Sequence, residues 1–245
     1  MPLYDARSSE RDACGIGFVA DSSGRASRPV VEAALDALCR VKHRGAVAAD
    51  ERTGDGAGLL LPIPPDVAPA GRGVAMAFLD PAAVAAGRAA IEDGCAAEGL
   101  AVEGWREVPV DPAALGEQAR ATAPAIWQAV LGPARARDPE RAAYRARRRA
   151  QRLASERGLT LSIASCSFRT VTYKALCAAD QLAHFYPDLD DPACEAWFAL
   201  FHQRYSTNTA PAWERAQPFR LLAHNGEINT IRGNLAAMQA RAAAA

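Results

Sequence analysis

Apolar positions along this chain fall into two rhythms, and their alternation predicts the elements. From Ala13 to Ala20 small and apolar residues run together, with Ile16 and Phe18 alternating against Gly15 and Gly17. That pattern predicts a strand whose glycines let another backbone or a ligand come close. The stretch SRPVVEAALDALCRVKHRG then changes period. Ser27 can cap, Pro29 suits a first turn, and Val30, Val31, Ala34, Leu35 and Leu38 form a helical stripe ending near Lys42, with Gly45 just beyond. ADERTGDGAGLLLPIPP reads as a glycine-rich turn, a short strand and a proline stop. Val74 to Leu79 predicts a strand, and Asp80-Pro81 starts a helix running to about Gly94. Trp105 to Val110 predicts a strand ended by Asp111-Pro112. Asp138-Pro139-Glu140 opens a helix that reaches Gly158. Leu159 to Ile163 and Phe168 to Tyr173 read as a hairpin joined by Ala-Ser-Cys-Ser. Trp197 to Tyr205 and Phe219 to Ala223 predict two further strands, and a last helix follows. No internal repeat is present. Strands with helices interspersed, lacking regular βαβ alternation, predict an α+β layered domain.

Composition narrows the function classes. The 245 residues are half apolar and 23% charged, the profile of an ordinary globular protein. Lys and Arg number 28 and so do Asp and Glu, which argues against a general nucleic-acid or membrane partner. The six cysteines are scattered without a C-x-x-C pair, so neither a zinc knuckle nor a disulfide scaffold is indicated, and a reducing, cytoplasmic setting is expected. Residues 1–13 are polar and charged and lack the apolar core of a signal peptide. No apolar run is long enough to span a bilayer.

Several short stretches carry candidate chemistry, each with a plainer alternative. The arginine run Arg145, Arg147, Arg148, Arg149, Arg152 reads as a solvated helix face, its members spread around the circumference without an aromatic platform. TGDGAG, Thr53 to Gly58, lacks the lysine and hydroxyl residue of a P-loop and reads as a tight turn passing close to another backbone. The four histidines show no metal-ligand spacing, so no metal site is expected. HNGEIN, His224 to Asn229, can place an amide side chain beside a backbone N–H, as an oxyanion hole requires, although Asn-Gly by itself favours a hairpin turn. In HQRYSTNT, Arg204 has the planar fork that suits a carboxylate, and the alternative is a surface ion pair at a strand end. Cys14 is either a buried strand cysteine or a nucleophile.

DACGIGF, HRGA, DERTGDGAG, GWREVPVDP, STNTAPAWERAQPFR and LAHNGEINTIRGN occur in this order in one chain. Together they resemble the N-terminal glutamine amidotransferase domain of glutamate synthase large subunits, a class II (Ntn-hydrolase) domain, from about Arg11 to Arg241. The resemblance implies a four-layer αββα sandwich, here incomplete at its C-terminal end. It implies that residues 1–13 are a propeptide and that Cys14 becomes the first residue of a mature domain spanning 14–245. It assigns Cys14, Asn225 and Gly226 to catalysis, the first as nucleophile and the other two as oxyanion donors. It assigns Arg204 to the α-carboxylate of L-glutamine, and Arg44, Gly45, Thr207, Asn208 and Glu227 to the same substrate pocket. The family's acidic residue for the substrate ammonium has no obvious equivalent here.

The activity so implied is hydrolysis of the glutamine amide to glutamate and ammonia through a cysteinyl thioester. No cofactor is expected in this chain, since FMN and an iron–sulfur cluster belong to the remainder of a full-length synthase. The expected partners are the other synthase domains or a small reductase subunit. The rival readings are another class II amidotransferase, which GWREVPVDP and the spacing to STNT argue against, and a catalytically incomplete remnant or binding module of the same fold.

Overall fold

The computed structural model describes residues 15–132, 137–204, 210–220 and 238–239. In chain order the elements are β1 (Gly15–Ala20), α1 (Arg28–Arg40), β2 (Ala57–Pro62), β3 (Gly73–Leu79), α2 (Val84–Ala96), β4 (Val102–Glu107), α3 (Glu117–Ala121), β5 (Ala125–Leu131), α4 (Pro139–Glu156), β6 (Leu161–Ser167), β7 (Thr170–Ala175), α5 (Leu182–Phe185), α6 (Pro187–Asp190) and β8 (Phe198–Gln203).

The strands form two antiparallel four-stranded sheets, ordered β1-β8-β2-β7 and β4-β5-β3-β6. Helix α1 packs on β1 and β8, while α2 and α4 pack on each other and against β3 and β6 of the other sheet. The result is an α+β sandwich of helix, sheet, sheet and helices, as the pattern reading expected.

Strand β3 shows how period-2 alternation builds these layers. Val74, Met76 and Phe78 join the large core shared with Leu59, Leu61, Val171 and Tyr173 of the first sheet. Ala75, Ala77 and Leu79 point the other way, into a second core with Ile91, Ala143, Ala146 and Ala150 of the helices. Small residues on α4 let it lie close against its neighbours. One polar network crosses between the sheets. Arg106 on β4 forks onto Asp188 of α6 at 2.6 and 2.8 Å and donates to Gln128 of β5 at 3.0 Å. Gln128 donates to the Tyr173 hydroxyl of β7 at 3.2 Å, and that hydroxyl donates to Asp188 at 2.8 Å. A fully paired buried network fixes one register, which gives the GWRE stretch a structural role.

The structure corrects several expectations. Ala164 to Ser167, read as a hairpin turn, are the last residues of β6. The turn falls at Phe168 and Arg169, and β6 and β7 belong to different sheets. Ser167 Oγ accepts the N–H groups of Arg169 and Thr170 at 3.0 and 3.2 Å, and Glu140 accepts that of Phe168 at 2.8 Å, which turns the chain from one sheet into the other. Ser27 stands at the α1 N-cap but its side chain caps nothing. Its backbone is held in a bridge to Ala196 instead. Asp138 does cap α4, accepting from Arg141 N–H at 3.1 Å. The helix expected from Pro81 starts at Val84, because the Asp80 carboxylate first closes a turn onto Ala82 N–H at 2.9 Å. The strand expected over Trp105–Val110 lies three residues earlier, over Val102–Glu107.

Strand β5 was not anticipated, although Ala125–Leu131 is an apolar run between Pro124 and Gly132-Pro133. Phe219 and Arg220 lie in no strand, and residues 221–223 of that expected strand fall outside the described residues, as do residues 1–14 and almost all of the expected last helix. Among the described residues no helix is long and apolar enough to cross a membrane.

Candidate active site

Strand β8 lies between β1 and β2, and its C-terminal end gathers the residues singled out from the sequence. Gln203 pairs with Gly15 on one side and with Ala57 on the other. Arg204, the next residue, donates its N–H to Gly56 O at 2.7 Å and its Nη1 to Asp55 O at 3.2 Å. It is only 8% exposed. Burial lowers the pKa of its guanidinium, and the nearby Asp55 carboxylate works in the opposite direction. A surface ion pair at a strand end is therefore not what Arg204 makes.

The HRG stretch reaches the same place by a short route. α1 ends at Arg40, a single 3₁₀ turn spans Lys42–Arg44, and the chain then crosses the sheet end. Asp55, 2% exposed, accepts from Ala46 N–H at 3.2 Å and from Gln203 Nε2 at 3.4 Å, and its own N–H donates to Ala46 O at 3.1 Å. Those bonds strap residues 44–46 to the TGDGAG turn. A Cβ at position 15 would lie 3.2 Å from Arg44 Cβ, so Arg44 flanks the start of β1.

Two glycines are dictated by this crowding. Gly56 has φ +130°, which side-chain-bearing residues rarely adopt. A Cβ on Gly45 would fall 2.2 Å from Gln203 Nε2 and 2.6 Å from its Cδ. Gly45→Ala must push Gln203 off its acceptors, so we expect a loss of about 2 kcal/mol of stability, read as a lower denaturant midpoint at unchanged slope. The TGDGAG turn itself is held by Asp50, whose carboxylate accepts the Thr53 hydroxyl at 2.5 Å and the Thr53 N–H at 2.7 Å. These bonds hold the Asp50 carboxyl well below the usual carboxylate range. The stretch is the tight, closely approached turn that its glycines suggested.

The structure thus brings Arg204, Arg44 and Gly45 together beside the first residue after Cys14. Cys14, Asn225, Gly226, Thr207, Asn208 and Glu227 lie outside the described residues.

Three residues of the neighbourhood were missed. Gln203 and Asp55 sit inside motifs already noticed, and their signal was a polar residue between apolar or glycine neighbours. Lys174 had no signal beyond being a lysine within an apolar run. It is 1% exposed, pairs with Gly58 in the sheet, and donates to Glu214 O at 3.0 Å and Ala216 O at 2.7 Å. It thereby clamps the AWERA segment over the sheet.

Burial, reinforced by Arg147, pushes the Lys174 ammonium down to about 7. An unfolded lysine titrates near ~10.4, so between these values the unfolded chain binds more protons than the folded one. The Lys174 contribution to stability therefore rises with pH through that window and is least favourable below it. We expect the difference between the parent chain and Lys174→Met to change by a few kcal/mol from pH 6.5 to pH 10, measured by denaturant titration.

A buried arginine at the end of a central strand, a glycine strap packed on a glutamine, and an antiparallel two-sheet sandwich define the class: this chain belongs to the class II glutamine amidotransferases, whose family pattern matches residues 14–245. Its relatives are more specific. It is 42% identical over 250 residues to the glutamate synthase [NADPH] large chain of Azospirillum brasilense, covering 94% of this chain and 16% of that protein. It is 43% identical over 255 residues to ferredoxin-dependent glutamate synthase 1, chloroplastic/mitochondrial, of Arabidopsis thaliana, covering 96% of this chain and 16% of that protein. The glutamate synthase [NADPH] large chain of Bacillus subtilis is 41% identical, with 95% and 16% covered. The chain thus spans about one sixth of the length of these relatives.

Proposed function

We propose that this chain carries the glutaminase half-reaction of a glutamate synthase, releasing ammonia from the side-chain amide of L-glutamine. The observation that carries this reading is the meeting of Arg44, Gly45 and the buried Arg204 at the head of β1, directly after Cys14. The family match also begins at that cysteine.

The chemistry follows from where Cys14 stands in the chain. A thiol is a poor nucleophile until it ionises. Removal of residues 1–13 converts an amide nitrogen into an α-amino group with a pKa of roughly 8, which can accept the thiol proton near neutral pH. The thiolate of Cys14 then attacks the amide carbon of glutamine. The Asn225 side-chain amide and the Gly226 N–H hold the oxyanion, each such donor being worth about 3 kcal/mol of barrier. The α-ammonium returns its proton to the departing nitrogen, ammonia leaves, and a thioester remains. Water hydrolyses the thioester to glutamate and restores Cys14.

Arg204 grips the substrate α-carboxylate with the face not committed to Asp55, and Arg44, Gly45, Thr207, Asn208 and Glu227 complete the pocket. In the whole protein the ammonia passes to a second site in the remaining synthase domains, where FMN and an iron–sulfur cluster belong, with a small reductase subunit as a further partner. The setting is cytoplasmic. Incubating the purified chain with glutamine tests the reading. Equal amounts of glutamate and ammonia support it, and no release from a chain beginning at Cys14 overturns it.

A further inference from the structure

Helix α4 carries six arginines in a chain whose charges balance overall. Read as a run they seemed to spread around the helix, but the structure sorts them. Arg147 turns inward and donates to Gln151 Oε1 at 3.1 Å. Arg145, Arg148, Arg149 and Arg152 line one open cavity of about 490 Å³, together with Tyr144 and Glu98. Glu98 has a side chain only 9% exposed and receives Arg145 Nε at 2.9 Å and Arg149 Nε at 3.4 Å. Arg152 faces Glu156 at 3.7 Å. Among the described residues Arg148 has no hydrogen-bond or ion-pair partner.

Four guanidinium groups therefore face two carboxylates. Arg145 with Arg149, and Arg148 with Arg152, are like-charge pairs one turn apart, an arrangement that costs stability unless an anion sits between them. Guanidinium forks suit phosphoryl oxygens. Tyr144 is half exposed and lies on the same stripe as Arg148 and Arg152, so its ring stands at one end of the cavity. Eight residues of helix separate Tyr144 from Arg152, or ~12 Å, comparable to the reach from a nucleobase to its outer phosphates.

We propose that this cavity binds a nucleoside di- or triphosphate, its base stacked on Tyr144 and its phosphates held by Arg148, Arg149 and Arg152. The cavity lies on the helix layer of the sheet that does not carry Arg204, so the proposal is independent of the glutamine reading.

Calorimetric titration of the 245-residue chain with ATP, ADP and inorganic tripolyphosphate at physiological salt tests it. The expected result is saturable one-to-one binding of ATP or ADP, tighter than tripolyphosphate. Arg148→Glu weakens it by at least about tenfold. Arg141→Glu makes the same charge change on the same helix outside the cavity and leaves affinity within about twofold. Tyr144→Ala reduces nucleotide affinity to that of tripolyphosphate. Absence of saturable nucleotide binding overturns the proposal. So does an equal loss in the Arg148 and Arg141 variants, which would mark a diffuse charge effect. Tripolyphosphate binding as tightly as ATP, or indifference to Tyr144→Ala, also overturns it. Circular dichroism confirms that each of these surface variants is folded.

Discussion

Cys14→Ala should abolish glutamine hydrolysis, lowering turnover by at least about 10⁴-fold, because a nucleophile and its base act as one unit. Cys14→Ser should fall nearly as far. A hydroxyl is a much weaker acid than a thiol, and an α-amine of pKa roughly 8 cannot draw off its proton. Glutamine affinity should survive both changes, since the substrate is held by Arg204 and its neighbours rather than by the sulfur. A chain that retains residues 1–13 should behave like Cys14→Ala, its position-14 nitrogen being an amide without basicity. The measurement is glutamate release by each form, alongside glutamine binding by calorimetry. Turnover by Cys14→Ala above about 1% of the parent rate would mean that another group performs the attack.

Arg204→Met should raise the KM for glutamine by about a hundredfold while lowering kcat far less. The lost contact is a charge-assisted pair to the α-carboxylate, made equally in the ground and transition states. Arg204→Lys should recover only part of this, because an ammonium lacks the planar fork. Arg204 also donates to Asp55 O, so some stability is lost as well. Methionine fills most of the volume, and a thermal midpoint measured beside the kinetics separates the two effects. A KM unchanged in a folded Arg204→Met would remove Arg204 from the carboxylate site. A collapse of kcat at constant KM would move it from binding to chemistry.

The pattern along the chain made much of this architecture legible, and its failures have physical causes. β1, β3, α1 and α4 announce themselves through clean period-2 or period-3.6 stripes, because each has one face on a core and one toward something else. The β6–β7 turn misled because Ser165 and Ser167 look like loop residues. Both are wholly buried. Ser165 accepts Thr172 N–H at 3.0 Å, and Ser167 caps the turn that follows. Polar side chains that serve neighbouring backbone break the apolar rhythm without leaving the strand. The pairing of strands was not legible either. Among neighbours in the two sheets only β4 and β5 are consecutive in sequence, so the order depends on crossovers that local pattern does not encode.

At the site, Arg204, Gly45 and the TGDGAG turn were visible as motifs. The reason they sit together was not. It lies in Gln203 and Asp55, whose polar side chains are buried and pair across 148 residues of sequence. A buried polar residue advertises itself only through its partner, and the partner is distant in the chain. Lys174 is the extreme case, a lysine satisfied by two backbone carbonyls that no sequence window contains.

The central claim is that Cys14 becomes the first residue of the mature domain and carries the glutamyl group during turnover. Intact mass spectrometry after rapid acid quench from glutamine tests both halves in one experiment. The account predicts a chain beginning at Cys14, with a fraction bearing one added glutamyl group that maps to the Cys14 peptide and is absent from Cys14→Ala. An active chain that still carries residues 1–13, or an adduct on any other residue, would contradict it.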